Sequence, residues 1–238
     1  MKRVPQSVSM SIFAAVLIAM IPLARAQDSP VAKTAPPVDR ISQMQGIAQS
    51  LGVTCAYCHS AARGSGEPEP KKAIAKAMME MTDEINARLR AATGKPAGQV
   101  TEIQCSYCHR GVALPKPITD IVWQTTRDQN VAAAVDQYRD LRKRYYGRST
   151  YDFGEEPLIG LAQQIANGRA DDAIALMKLN LEFHPNSVRT YLALSYAQTR
   201  KLDDTAAIAS LEKALEIEPE NGTVKGRLEQ LKSYHRNR

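Results

Sequence analysis

Apolar positions open the chain as one unbroken run and then settle into helical stripes. Residues 8–23 carry no charged side chain, follow Lys2 and Arg3, and end at Ala24-Arg25-Ala26 before Gln27. A basic start, an apolar centre and small residues at the two positions read by a signal peptidase predict a signal peptide over residues 1–26. An uncleaved membrane anchor is the alternative, because the run is near the spanning minimum. No Cys stands near the cleavage point to carry a lipid, and no later stretch is long and apolar enough to cross a bilayer. Further on, Ile41, Met44, Ile47, Ala48 and Leu51 recur at helical spacing, and Gly52 supplies a stop. Ile74, Met78, Met81, Ile85 and Leu89 form a second stripe, predicting a helix from residue 70 to about residue 92, with a loop over residues 93–98. Residues 131–146 carry Val131, Val135, Tyr138 and Leu141 on one side and charge elsewhere, and residues 147–154 read as a loop. The remainder repeats itself. Ala173 and Ala207, Ile174 and Ile208, Leu181 and Leu215, and Pro185 and Pro219 are all separated by one and the same interval. Each unit reads as helix, turn at Gly168 or Leu202, and helix ending in Pro, with a polar last helix over residues 221–234. The fold class expected is all-α.

Composition narrows the function classes. Of 238 residues, 44% are apolar and 24% charged, which excludes wholesale disorder. Aromatics are only 5%, too few for an interleaved base-stacking surface. The net charge of +6 falls to +3 once residues 1–26 leave, since Lys2, Arg3 and Arg25 go with them and no acidic residue does. Nucleic acid is therefore not an expected partner.

The four cysteines stand in two matching segments, Cys55-Ala56-Tyr57-Cys58-His59 and Cys105-Ser106-Tyr107-Cys108-His109. Disulfides in an exported chain would allow three connectivities, but none requires a His after each pair. A zinc site with four thiolates fits the spacing and also leaves the histidines unexplained. Covalent haem c requires them. Two thiols add across the porphyrin vinyl groups, and the next residue sits under the iron and donates an imidazole nitrogen. Two of the four histidines occupy these two slots. Cys55, Cys58, Cys105 and Cys108 are thus the expected attachment residues of two haems c, and His59 and His109 the axial ligands.

The second axial position decides function, since a Met opposite the His favours electron transfer and an open site favours ligand binding or chemistry. Of the five methionines beyond the signal segment, Met44, Met78, Met79 and Met81 lie in this half. Met44 precedes the first motif on its own helix. Met78 and Met81 share a helix face, which periodicity alone does not separate, while Met79 points about 100° away and reads as packing.

The stretches MQGIAQSLGVTCAYCH, KKAIAKAMMEMTDEIN and IQCSYCHRGVALPKP resemble the cytochrome subunit of photosynthetic reaction centres. In that family a Met-bearing helix, a turn and a CxxCH unit recur, usually four times. The resemblance covers residues 41–117 and implies Met44 as the first ligand. Its helix pattern falls on Lys76, Met78, Met81 and Ile85-Asn86, with the earlier Met in the ligand position, hence Met78, and Met81 as fallback. This chain has two units rather than four, a longer loop around residues 94–98 and no membrane-anchoring Cys.

The interval of the C-terminal repeat, about 34 residues, resembles that of the tetratricopeptide repeat. The expected order is a signal peptide (1–26), a dihaem cytochrome c domain (27–123, ending at Trp123), a connecting helix and loop (124–154), and tetratricopeptide-like repeats with a capping helix (155–238). The function expected is a periplasmic electron carrier with two haems c in His/Met ligation. Its partners are redox proteins, recruited by a repeat surface that reads equally as a stabilising extension or a dimer contact. Membrane contact would come only through a partner or an uncleaved signal. A peroxidase-like dihaem enzyme with one open iron is the alternative, opposed by two Met candidates and no distal His. A repeat scaffold with merely structural haems is a third reading.

Overall fold

In this computed structural model residues 39–59 and 70–236 are described, so the expected signal peptide lies outside the described residues. Those described belong to one compact unit, Asp39–Arg238. They are helical without a strand, as the all-α expectation requires: α1 (Arg40–Leu51), a 3-10 turn (Cys55–Tyr57), α2 (Pro70–Thr93), α3 (Cys105–His109), α4 (Ile118–Asp128), α5 (Val131–Tyr145), α6 (Glu156–Ile165), α7 (Ala170–Phe183), α8 (Val188–Arg200), α9 (Asp204–Ile217) and α10 (Gly222–Arg236).

Local chemistry sets the helix ends. The Asp39 carboxylate accepts from the N–H groups of Ile41 and Ser42 and starts α1, while Gly52, at φ 63°, ends it. The N–H of Val53 then closes on the Ala48 carbonyl at 3.0 Å, the hydrogen-bond pattern of a left-handed glycine stop. Asn130, Ser187 and Asp203 cap α5, α8 and α9 in the manner of Asp39.

From α4 onward successive helices pack on one another: α4 with α5, α6 with α7, α7 with α8, α8 with α9, and α9 with α10. Ile118, Val122, Ala134, Tyr138 and Leu141 of the first pair share a core with Leu158, Leu161, Leu176 and Met177. A second core joins Val188, Leu211, Ala214, Val224 and Leu228. The sequence period is visible in the helices: α7 and α9 begin and end one period apart, and α8 and α10 begin one period apart. Ala173 and Ala207, at equivalent positions, are both fully buried where helices approach closely. The composition change at Trp123 falls inside α4, because Pro115 and Pro117 end the preceding segment and Pro117 leads directly into that helix. His184, a helix-end residue, follows α7 and donates from Nε2 to the Phe153 carbonyl at 3.1 Å, which Arg142 also reaches at 3.0 Å. Those two bonds tie the loop after α5 to α5 itself and to the end of α7.

Burial is lopsided. Every buried apolar residue described lies at or beyond Ile118, and among the described residues before it only Asn86 is buried. Among the described residues, the half that carries the cysteine motifs has no buried apolar side chain.

Candidate functional site

Each CxxCH segment enters its turn from one extended residue, Thr54 at ψ 166° and Gln104 at ψ 163°. In the first, the Cys55 carbonyl accepts from the N–H groups of Cys58 (3.3 Å) and His59 (3.0 Å). The second is the single helical stretch α3. A helical turn puts positions i, i+3 and i+4 on one face, so Cys105, Cys108 and His109 project together. None of the four cysteines is joined to another in a disulfide. Among the described residues no three His, Cys, Asp or Glu gather as a metal site would require, so the thiols are not assembled into a zinc tetrad.

His109 is held in one tautomer. Its Nδ1 lies 3.1 Å from the Val112 carbonyl oxygen, which can only accept, so Nδ1 carries the proton. In the neutral ring, Nε2 then keeps its lone pair for a metal, an arrangement common to metal-bound histidines. The chain leaves the motif through two left-handed residues, Arg110 at φ 50° and Gly111 at φ 87°. The Gly111 N–H donates to the Ser50 carbonyl at 2.8 Å, and Thr150 Oγ1 donates to the Arg110 carbonyl at 2.6 Å. The approach to α1 is so close that a Cβ on Gly52 would stand 2.1 Å from the Gly111 oxygen. The end of the Met44 helix is therefore seated on the exit of the second motif. Beside Cys108 opens a cleft of about 530 Å³, bounded by Arg110, Lys116, Ile118, Tyr151 and Asp152.

α2 spans both motifs. Near its start the Lys71 ammonium sits 3.9 Å over the Tyr57 ring, inside the first CxxCH. Near its end Asn86 holds the backbone of Ile103: Nδ2 donates to the carbonyl at 2.9 Å and Oδ1 accepts from the N–H at 2.7 Å. One turn on, Arg90 pairs with Glu102 at 2.5 Å. The face bearing Asn86 also carries Ala75, Met79 and Thr82, all half-buried, so Met79 is the methionine that packs. About 100° around the helix, Ile74, Met78, Met81 and Ile85 form a bare apolar stripe, with Met78 44% and Met81 47% exposed. On α1, Ile41 and Met44 are likewise uncovered. A contiguous apolar stripe of this kind marks a surface built to be covered.

The residues fit haem c. The chain offers two thiols and a histidine on each turn, a free Nε2 lone pair on His109, and bare apolar faces bearing thioether sulfurs where the described side chains supply no buried apolar residue. Met78 and Met81 stand on the same face with near-equal exposure, as their spacing required. Sequence reasoning did not find the Asn86 clamp, the Val112 acceptor or the Gly52–Gly111 contact. An amide residue on the packed side of a helix, eight positions after a Met, was the available signal for the first.

Paired CxxCH turns beside methionine helices are the attachment architecture of a c-type cytochrome. Residues 42–151 match the family model of the photosynthetic reaction centre cytochrome C subunit, and this part of the chain is similar to a reaction-centre cytochrome c, a class that binds c-type haem and transfers electrons. The matched stretch runs from α1 to just beyond α5, leaving α6 to α10 outside it. No curated protein matches the chain. None of the described helices is long and apolar enough to cross a membrane.

Proposed function

We propose that the protein is an exported single-electron carrier holding two haems c, one on each CxxCH turn. Cys55 and Cys58 attach one haem and Cys105 and Cys108 the other, His59 and His109 supply the imidazole ligands, and Met44 and Met78 (Met81 as fallback) supply the sulfurs. When bound, each haem iron provides a one-electron couple, and a thioether opposite an imidazole favours its reduced form. The chain's own part is to fix the ligand atoms and cover the macrocycle with Ile41, Ile74 and Ile85. The observation that carries this reading is the bare methionine stripe of α2 in a half-molecule with no buried apolar side chain among the described residues. Residues 1–26 direct the chain to the periplasm, where redox proteins are its partners. The repeated helical hairpins are read as tetratricopeptide-like units that recruit one of them.

Intact mass of the exported chain, made with a haem c maturation system, tests the reading. Two haems are expected, and the double variants Cys55→Ala/Cys58→Ala and Cys105→Ala/Cys108→Ala should each lose one. Zinc in place of iron, or a haem count that either double variant leaves unchanged, would end it. Near-stoichiometric binding of carbon monoxide to the reduced protein would instead favour a peroxidase-like enzyme with an open iron.

A further inference from the structure

We propose that Asn86 is the positioning residue of the second haem site, fixing α2 against the CxxCH segment so that its methionine reaches the iron ligated by His109. The proposal rests on the haem ligation inferred above. Of all residues on α2 only Asn86 is buried, at 8% exposure, and the apolar residues on its face are only half-buried, so apolar packing fixes this helix weakly. What fixes it most firmly is one side-chain amide pairing with one peptide. A primary amide presents a donor and an acceptor side by side, matching the N–H and C=O of Ile103, and no apolar or hydroxyl residue offers both in that geometry. Burial makes the pair consequential, because removing the amide leaves two peptide groups of Ile103 unpaired. The neighbouring Arg90–Glu102 pair is over a third exposed on both sides and contributes weakly.

The clamp lies on the path that links the two ligands. Ile103 is two residues before Cys105 and six before His109, with only the extended Gln104 intervening before α3. On the helix, Met81 and Met78 are five and eight residues before Asn86, about 7.5 and 12 Å along the axis. A shift of the clamp therefore moves sulfur and imidazole relative to each other. Thiol attachment is covalent and does not depend on it.

The test uses the holoprotein and the far-red sulfur-to-iron absorption of its ferric form. Asn86→Ala should keep both haems by mass, lose roughly half of that absorption, and bind carbon monoxide at one site when reduced. Asn86→Asp keeps the acceptor but sets a carboxylate oxygen against the Ile103 carbonyl, and should resemble Asn86→Ala; Asn86→Gln keeps both groups and should retain more of the band. Full absorption in Asn86→Ala, beside a halved band in Met78→Leu or Met81→Leu, overturns the clamp alone. An undiminished band in both methionine variants overturns the ligation and the clamp with it. Should Asn86→Ala fail to mature with two haems, equal bands in the Gln and Asp variants overturn the proposal, and a band kept in Gln but lost in Asp supports it.

Discussion

Leu202 turns the chain between α8 and α9 at φ 67°, a left-handed conformation that costs a side chain with a Cβ about 1–2 kcal/mol. Its repeat counterpart one period earlier is Gly168, which is not among the residues at positive φ. The residue type that reads as a turn in the sequence is thus not the one that carries the strain. Leu202 is 71% exposed, so little packing is lost by removing its side chain. Leu202→Gly should stabilise the fold by about 0.5–1 kcal/mol after the extra entropy glycine brings to the unfolded chain, raising Tm by about 2 °C in a melt. A lowered Tm would mean that the leucine is held by contacts worth more than its backbone strain. At the start of α1, the Asp39 carboxyl is held below its ordinary value by the Ser42 hydroxyl first, then by the N–H groups of Ile41 and Ser42. A depressed folded pKa means the stabilisation is complete above the unfolded value of 3.8 and is lost as pH falls through the lower folded one. Protection of the Ile41 and Ser42 amides, measured against their intrinsic exchange rate at each pH, should fall on acidification below about pH 4, and Asp39→Asn, itself a good cap, should abolish that dependence.

Elements were legible where one period or one chemical demand governed them. The α1 stripe ended at Gly52 as read, and α2 ran from Pro70 to Thr93 against an expected end near residue 92. Two thioethers and an imidazole need fixed spacing, so the CxxCH turns stood out unaided. α4 did not, because it is short, follows two prolines, and buries only Ile118, Val122 and Thr126, a pattern too brief to show a period. What joins elements was also invisible: the seat of α1 on the second motif is backbone on backbone, through Gly52 and Gly111. Glycine is required at 52 twice over, by its φ of 63° and by the 2.1 Å that a Cβ would leave to the Gly111 oxygen. Gly52→Ala should cost about 1–2 kcal/mol from handedness alone and part α1 from the second motif. The measurement is exchange of the Gly111 amide, whose bond to Ser50 should open, so its protection should fall while amides in α7 and α9 keep theirs. Unchanged protection at Gly111 would mean that the chain relieves the clash without moving α1.

Across the whole molecule, the helical stack begins earlier than its sequence period. α5 starts at Val131 and α7 at Ala170, farther apart than one period, since a longer loop separates α5 from α6. That offset hid the α4–α5 pair from any search for the repeat. In the fold, the pair shares one core with α6, α7 and α8. Residues 118–236 therefore own every buried apolar side chain described, and α1, α2 and α3 own none. Local stability follows buried apolar contact, so the two regions should separate in hydrogen exchange according to whether haem is attached. In apoprotein made without haem maturation, amides of α7, α8 and α9 should exchange only by global unfolding, while those of α1 and α2 exchange through cheap local opening. Covalent haem would cover Ile41, Met44, Ile74, Met78, Met81 and Ile85, which together expose a large apolar surface. Attachment should then slow exchange in α1 and α2 by at least about tenfold, the effect of about 1.4 kcal/mol, and leave α7 to α9 nearly unchanged. The comparison needs only the two preparations and peptide-level mass spectrometry. Equally slow exchange of α1 and α2 in both preparations would mean that this half holds itself together without the macrocycle, against a burial pattern in which one asparagine is its only buried side chain among the described residues.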